Sequence, residues 1–332
     1  MSFVSSPPFR VGIVGTGYAA RVRAETFSSD DRAVIAAVSS RNLERSQELA
    51  RPYAAEALDS WQAIVERDDI DIIVICTTND RHGAIARAAV EGGKHVVVEY
   101  PLALDPAEAA AIVDLADSNG TLLHVEHIEL LGGLHRTLRQ YLPEVGTPFY
   151  ARYVTANPKH PAPRSWTYQH ETFGFPLVAA LSRLNRFVDC FGTVKEVSAR
   201  SRFWERPQEN YYAACWCAAQ LEFTNGVVAD IIYSKGETIW QSENRFQVWG
   251  DRGKLVLEPA GGLLVLENQV QPIDIEPRKG LFAKDTAAIL DRLTDGTSLY
   301  TTPAASLYTL KVAEATRIAA ETGKPIAIDD RA

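Results

Sequence analysis

Positive charge is scarce in this sequence. The 332 residues include 34 lysines and arginines against 42 aspartates and glutamates, which gives a net charge of −8. Nucleic acids and anionic membranes bind through basic surfaces, so the charge balance argues against both as partners. An anionic ligand must instead meet a local group of positive side chains.

Long hydrophobic runs are also absent. No stretch approaches the roughly 20 apolar residues that are needed to cross a bilayer. The first residues, MSFVSSPPFR, lack the basic and then apolar pattern of a secretion signal. Both observations predict a cytoplasmic protein.

Cysteine is rare, and its spacing does not suit a metal site. The four cysteines form no C-x-x-C pair, and the single C-x-C has no histidine cluster near it in the sequence. All four stand in apolar segments, where a free cysteine is usually a buried structural thiol. We therefore predict no metal. The residues are Cys76, Cys190, Cys215 and Cys217.

Residues 1–125 alternate apolar, strand-like runs with amphipathic helical stretches. The runs lie at 11–15, 33–39, 70–77, 95–100 and 121–126, and the helical stretches lie near 19–28, 43–53, 82–91 and 106–118. This alternation predicts an α/β domain of the Rossmann type, a doubly wound parallel sheet covered by helices on both faces.

The pattern changes in residues 126–332. A helical stretch at 128–142 precedes five strand-like segments with only short turns between them, which predicts an α+β domain with a large, mainly antiparallel sheet. Helical patterns near 281–294 and 303–321 close the chain, and we expect them to pack back toward the first domain. Two domains also fit the length of the chain.

A glycine-rich turn follows the first predicted strand. GTGYAA at 15–20 fits the fingerprint G-x-G-x-x-G/A, in which the first glycine makes a tight turn and the second lets the backbone approach a pyrophosphate. Its place in the first strand–helix turn predicts a dinucleotide site. The residues expected to contact the dinucleotide are Gly15, Thr16, Gly17, Tyr18 and Ala19.

The end of the second predicted strand indicates which dinucleotide binds. A carboxylate there would bind the ribose 2′-hydroxyl of NAD, whereas an arginine would accommodate the 2′-phosphate of NADP. The chain reads Ser39, Ser40 and Arg41 at this point, with no acid. NADPH is therefore the predicted cofactor, and the alternative is that Arg41 is only a solvated residue at a helix start.

Small polar side chains follow the predicted strand at 70–77. Thr77, Thr78 and Asn79 lie at the carboxyl edge of the sheet, where open α/β sheets bind ligands. They suit a wall around the nicotinamide ribose, and they could equally cap the helix that begins near His82. We include all four as cofactor-site candidates.

The order of these parts resembles the glucose–fructose oxidoreductase family over nearly the whole chain. Members that oxidise sugars carry a lysine after the fifth strand, and an aspartate and a histidine on a helix of the second domain. Here Tyr100 stands at the position of the lysine. Val178 and Ser182 stand at the positions of the aspartate and the histidine, and Asn185 stands at the position of a further aspartate. Because alcohol oxidation needs a base, an NADP-dependent sugar or cyclitol dehydrogenase is a weaker alternative. A non-catalytic NADP-binding regulator is another.

Four segments resemble the biliverdin-reducing branch of that family, especially its cyanobacterial members. They are VEYPLAL, LLHVEHIELL, FGFPLVAALSRL and WGDRGKL. The resemblance implies a monomer that reduces biliverdin, a linear tetrapyrrole, to bilirubin by hydride transfer from NADPH to the central methine carbon. It also places Glu99 and Tyr100 beside the nicotinamide, where Tyr100 either lies near the bilin or simply packs over the cofactor.

Two arginines are candidates for the catalytic cation. A positive charge favours the electron-rich product and can orient a water that donates a proton. The resemblance assigns this role to Arg183, whereas helical geometry puts Arg186 nearer to the face of Ser182 and Asn185. The alternative is that both arginines are salt-bridged surface residues of the helix.

The segment HVEHIEL at 124–130 invites a metal or acid–base interpretation. On an extended strand His124 and Glu126 would face one side and His127 the other, which argues against a chelate. Glu126 remains a catalytic candidate.

A flat bilin with two propionates calls for an aromatic pocket with basic groups at its rim. Candidate wall residues are Phe173, Phe175, Trp166 and Tyr168, and candidate rim residues are Lys159, Arg164, Arg202, Arg278 and Lys279.

Overall fold

A computed structural model describes residues 7–328. The chain divides into two compact units. The first comprises the chain up to Ile128 together with Gly280–Leu307, and the second comprises Glu129–Lys279 and the chain from Tyr308 onward.

The described residues form the following elements in chain order. The strands are β1 Phe9–Val14, β2 Ala33–Ser39, β3 Glu56–Leu58, β4 Ile72–Ile75, β5 His95–Val98, β6 Leu123–Val125, β7 Pro148–Pro158, β8 Val194–Glu205, β9 Tyr212–Phe223, β10 Val228–Gly236, β11 Glu243–Gly250, β12 Gly253–Glu258, β13 Gly261–Leu266, β14 Gln269–Ile273 and β15 Ile326–Ala327. The helices are α1 Tyr18–Ser28, α2 Leu43–Ala50, α3 Trp61–Val65, α4 Asn79–Glu91, α5 Pro106–Asn119, α6 Gly133–Tyr141, α7 His170–Phe173, α8 Pro176–Ala179, α9 Leu181–Phe191, α10 Leu281–Asp295 and α11 Pro303–Thr322. Short 3-10 helices span Arg51–Tyr53, Ile128–Leu131, Leu142–Val145 and Trp166–Tyr168.

The first unit contains a six-stranded sheet in the order β3-β2-β1-β4-β5-β6, and every pairing in it is parallel. Its central strands are apolar and buried, as a sheet covered on both faces requires. Helices α1 and α10 complete the core, where Phe27 and Ile289 are fully buried. The predicted Rossmann domain is confirmed.

Some local features of the chain differ from the sequence prediction. The short strand β3 was not predicted, because its three residues are half exposed and form no apolar run. The helix predicted at 128–142 is also shorter: a 3-10 helix comes first, and α6 begins only after the extended residue Gly132.

The second unit contains a nine-stranded sheet in the order β14-β13-β12-β11-β7-β10-β9-β8-β15. Among the described strands of this second sheet, only the pairing of β10 with β7 is parallel. The predicted large, mainly antiparallel sheet is therefore confirmed.

Helix α9 lies against this sheet. The ring of Phe187 contacts Tyr153 of β7 and Phe246 of β11, with centroid separations of 6.4 and 4.9 Å. The helix ends before Gly192, whose φ of 83° interrupts the helical backbone. The packing of Phe187 fixes the rotation of α9 and hence the directions of its two arginines.

Within residues 7–328, no helix combines the length and the apolar character that a bilayer crossing requires.

Candidate active site

The glycine turn has the geometry that a dinucleotide phosphate needs. Gly15 has a φ of 122°, and a Cβ atom there would lie 2.2 Å from the carbonyl oxygen of Cys76, so only glycine fits. Gly17 precedes α1 and has open space around it, and α1 carries neither a side-chain cap nor an acid in its first turn. The amides of this helix start are therefore available to an anion.

The end of β2 offers hydroxyl groups and one cation. Ser39 is buried, and its hydroxyl has no hydrogen-bond partner within the described chain. The Ser40 hydroxyl bonds to the carbonyl of Asn42 at 2.8 Å and so shapes the turn into α2. Arg41 is exposed, which suits a 2′-phosphate contact and equally suits a solvated helix-start residue.

The polar segment after β4 is tied to the end of β5. The buried His82 ring lies 2.8 Å from the carbonyl oxygen of Pro101 and 3.3 Å from that of Thr77, and burial lowers its pKa. His82 therefore supports two backbone segments. Helix α4 begins at Asn79, earlier than predicted, and the hydroxyl of Thr78 bonds to Asp80 instead of capping the helix.

A fully buried ion pair joins α1 to α10 in the first unit. Arg23 and Asp285 are both 0% exposed and are hydrogen-bonded to each other. Asp285 also accepts bonds of 2.7 Å from His124 and from the Tyr300 hydroxyl. Burial alone would raise the pKa of Asp285, but Arg23 and His124 bring it below its usual value. Sequence reasoning missed this pair.

Glu99 and Glu126 are two buried carboxyl groups that interact electrostatically just after the ends of β5 and β6. The Arg23 guanidinium lies 3.1 Å from Glu99, and Glu126 accepts a 2.8 Å bond from the amide of Ile128. Burial raises the pKa of both, and the Glu99 charge raises that of Glu126 further. Glu126 is therefore the group of this pair that retains a proton as pH rises.

Tyr100 lies flat against a neutral imidazole. The rings of Tyr100 and His127 are 5.6 Å apart and nearly parallel, at 7°. His127 bonds to Ser306 at 2.9 Å, and burial lowers its pKa to about 3. This stacking fixes the plane of the Tyr100 ring. His124 and His127 have separate hydrogen-bond partners, Asp285 and Ser306.

Arg186 is a buried ion-pair residue of the second unit, not the surface residue that the alternative prediction proposed. It is 3% exposed and donates a 2.7 Å bond to Glu129. The predicted rim residue Arg278 bonds to the same carboxylate at 2.5 Å. Although burial would raise the pKa of Glu129, these two guanidinium groups lower it.

Arg183 points elsewhere from the same helix. It is half-buried, donates a 3.0 Å bond to the Ser182 hydroxyl, and lies 5.7 Å from the ring centroid of Tyr233. Both arginines of the helix lie near an aromatic ring, since the Arg186 guanidinium carbon is 5.9 Å from the ring centroid of Tyr153.

Several predicted wall residues lie near one another. Phe173 and Tyr168 are buried, and Trp166 lies 6.0 Å from Phe173. Phe175 is half-buried. Lys235, which the sequence analysis did not single out, is surrounded by the same aromatic side chains. Lys235 lies in strand β10, whose sequence contains no motif that would have indicated a functional role for this residue.

The remaining predicted rim residues are exposed. Arg164 pairs with Glu209 at 2.7 Å, and the Arg202 guanidinium lies 5.0 Å from the ring centroid of Trp204. Lys159 and Lys279 also lie at the surface.

One cluster has the composition of a metal site. His135, Asp189 and Cys190 bring possible ligand atoms within 4.8 Å of one another. The Asp189 carboxylate, however, already bonds to His135 and to Arg139, both at 2.8 Å. Burial also raises the pKa of Cys190 to about 12, which disfavours the thiolate that a metal needs. These contacts favour a structural cluster.

Comparison with known proteins assigns the class. A model described as "Oxidoreductase family, NAD-binding Rossmann fold" matches residues 9–127, and one described as "Oxidoreductase family, C-terminal alpha/beta domain" matches residues 144–328. The chain belongs to this family and is an NAD(P)-dependent oxidoreductase. The match confirms the family resemblance and the nicotinamide dinucleotide prediction.

Three individual proteins show different degrees of similarity to this chain. Biliverdin reductase A of Mus musculus is 32% identical over 240 residues, which are 71% of this chain and 74% of the mouse protein. The crystal structure of biliverdin reductase from Synechocystis sp. PCC 6803, in complex with biliverdin and NADP+, has a TM-score of 0.92 at 48% identity and covers 95% of this chain and 99% of that one. UDP-N-acetylglucosamine 3-dehydrogenase from Acidithiobacillus ferrooxidans has a TM-score of 0.78 at 21% identity and covers 95% of this chain and 98% of that chain, which shows the fold alone.

Proposed function

We propose that this protein is an NADPH-dependent biliverdin reductase that acts as a monomer. One observation carries the proposal: the positions of the lysine, the aspartate and the histidine that sugar oxidation uses hold Tyr100, Val178 and Ser182 instead. Val178 and Ser182 are 2% and 3% exposed, and Tyr100 follows β5 where a lysine would stand. The 48% identity to a protein solved with biliverdin and NADP+ supports the same assignment.

NADPH fits the nucleotide residues of the first unit. The open helix start at Gly17 would bind the pyrophosphate, and the tight turn at Gly15 would let the backbone approach it. The exposed Arg41 would meet the 2′-phosphate. When bound, the cofactor supplies a hydride from C4 of the nicotinamide. Glu99 and Tyr100 would lie beside that ring.

The molecule that accepts the hydride needs charge stabilisation and a proton. Residues of the second unit would help to meet these needs. Arg keeps its proton, because its pKa stays above ~12, so Arg183 would act by its charge and by orienting a proton-donating water. Glu129 neutralises Arg186, which favours a positioning role for that residue. Glu126 would hold a proton near the nicotinamide side of the first unit.

Incubation of the purified protein with NADPH and biliverdin tests the proposal. Loss of NADPH absorbance should accompany loss of the red-absorbing bilin band and the formation of bilirubin. A panel of sugar alcohols and cyclitols with NADP+ is the parallel assay. Turnover of a sugar alcohol without bilin reduction would favour the dehydrogenase alternative, and NADPH binding without any turnover would favour a regulator. Light scattering measures the oligomeric state.

A further inference from the structure

Lys235 is an ammonium enclosed by aromatic rings. It lies on β10 in the second unit and is 5% exposed. Its Nζ atom lies 3.4 Å from the ring centroid of Phe173 and 4.7 Å from that of Tyr168. The same atom donates a hydrogen bond to the carbonyl oxygen of Thr167. Tyr212 and Tyr233 complete the enclosure at 5.4 and 6.0 Å.

The surroundings of Lys235 in the described chain are aromatic faces and a carbonyl group, with no carboxylate among the contacts given above. Lysine is almost never fully buried unless it is paired, and in the described chain Lys235 contacts aromatic faces and a carbonyl where a carboxylate would be expected. Cation–π contacts offset part of the desolvation cost. An apolar side chain of similar length would fill the same space at no such cost. Packing alone therefore does not account for an ammonium here.

Lys235 and Arg183 share one ring. The Arg183 guanidinium carbon lies 5.7 Å from the Tyr233 centroid, and Lys235 Nζ lies 6.0 Å from it. The two charges are close enough that Arg183 disfavours protonation of Lys235. We call Arg183, Tyr233 and Lys235 the two-cation cluster.

We propose that Lys235 is the titrating half of the two-cation cluster. Its ammonium adds to the positive potential that Arg183 presents to the bilin, and the neutral amine removes that contribution. Lys235 is thus a positioning residue that acts through the field at Arg183, and it need not touch the substrate. This inference rests on the proposed function, since it assumes that Arg183 serves bilin reduction.

Within this cluster of side chains, Lys235 is the group that changes its charge near neutral pH. Burial lowers its own pKa to about 8. On β9, burial raises the pKa of Cys215 to about 11 and that of Tyr212 further, and in the 3-10 helix it raises the pKa of Tyr168 to about 12. The residue opposite Lys235 on the neighbouring strand β7 is the neutral Asn157. Phe173 covers Lys235, and Tyr233 flanks it on β10. Arg183 of α9 stays charged.

The test is the pH profile of bilin reduction from about pH 6 to 10. Wild-type kcat should fall by about tenfold as pH rises through 8, because one nearby charge is lost. Lys235→Met should be about tenfold slower at pH 7, with the fall near pH 8 removed. Lys235→Arg should keep the fast rate through pH 9.5. The exposed Lys195→Met serves as the control and should follow the wild type.

Titration of 15N-labelled lysine by NMR gives a readout that does not depend on activity or on tolerance of arginine in the cage. One resonance should titrate near pH 8 in the wild type and be missing from Lys235→Met. A wild-type profile retained by Lys235→Met, or titration of the Lys235 amine near pH 10, would overturn the inference. A wild-type protein that does not reduce biliverdin overturns the proposed function instead, so the two failures are distinguishable.

Discussion

Arg186 donates a 2.7 Å hydrogen bond to Glu129, and this contact holds a buried guanidinium against a carboxylate that Arg278 also binds. Arg183, on the same helix, lies beside Tyr233. Two neighbouring arginines that look equivalent in the sequence therefore have different surroundings. This difference supports the proposal that Arg183 serves catalysis and that Arg186 has a positioning role.

Removal of the Glu129 carboxylate should destabilise the protein. Glu129→Ala leaves Arg186 buried without its counter-charge, which should lower the free energy of unfolding by roughly 3 kcal/mol. Because the folded-state pKa of Glu129 is lowered, the contribution is present at neutral pH and is lost as pH falls below about 4. Urea unfolding at several pH values measures it. Glu258→Ala, which breaks the exposed pair with Arg245, should cost no more than about 0.5 kcal/mol.

Arg183→Ala should reduce turnover while leaving cofactor binding intact. We expect a loss of at least about tenfold in kcat, because charge stabilisation at the bilin is removed. NADPH affinity, measured by the quenching of protein fluorescence, should stay within about twofold, since the nucleotide residues lie in the other unit. The matched control is Arg245→Ala, at an exposed position of strand β11. An unchanged kcat would remove Arg183 from the mechanism.

The carboxyl pair predicts a stability difference that depends on pH. The folded-state pKa of Glu126 is raised by burial and by Glu99, so this side chain binds more protons in the folded protein than in the unfolded chain above pH about 4.5. The contribution of Glu126 to stability should therefore fall as pH rises from 5 to 8, and Glu126→Gln should gain stability relative to the wild type by a margin that grows over this range. Thermal unfolding measures the margin. Glu66→Gln, at an exposed site, is the control, and a constant margin would contradict the pairing.

The two fingerprint glycines should respond differently to a methyl group. Gly15→Ala forces a Cβ atom against the Cys76 carbonyl and should lower both stability and NADPH affinity. Gly17→Ala has room for the methyl group in the protein itself, so the fold should survive. The same methyl would stand where the phosphate approaches, and NADPH affinity should fall by at least about tenfold. Calorimetry of unfolding and of binding separates the two effects.

Arg41 should determine the preference for NADPH over NADH. Loss of one charge-assisted contact in Arg41→Ala should raise the Kd for NADPH by about tenfold and leave that for NADH within about twofold. Arg45→Ala, at the next arginine along the chain, is the control. Equal losses for both cofactors would show that Arg41 does not contact the 2′-phosphate.

The sequence alone was sufficient for the fold and for the nucleotide turn. Buried parallel strands such as β4 are continuous apolar runs, and the fingerprint places its glycines at fixed spacings, so both signals lie within short segments. The sequence also showed that Tyr100, Val178 and Ser182 replace acid–base residues, because the family pattern places those residues at fixed spacings. Short or irregular pieces such as β3 lacked such a signal.

Only the tertiary structure decided which polar residues work together. Asp285 meets Arg23 across 262 positions of sequence, Arg186 meets Glu129 across 57, and Lys235 meets Thr167 across 68. No local periodicity records such pairings, because they depend on how elements pack once their apolar faces are buried. The sequence determined the elements and the chemistry that they carry, and packing decided which charged groups meet one another.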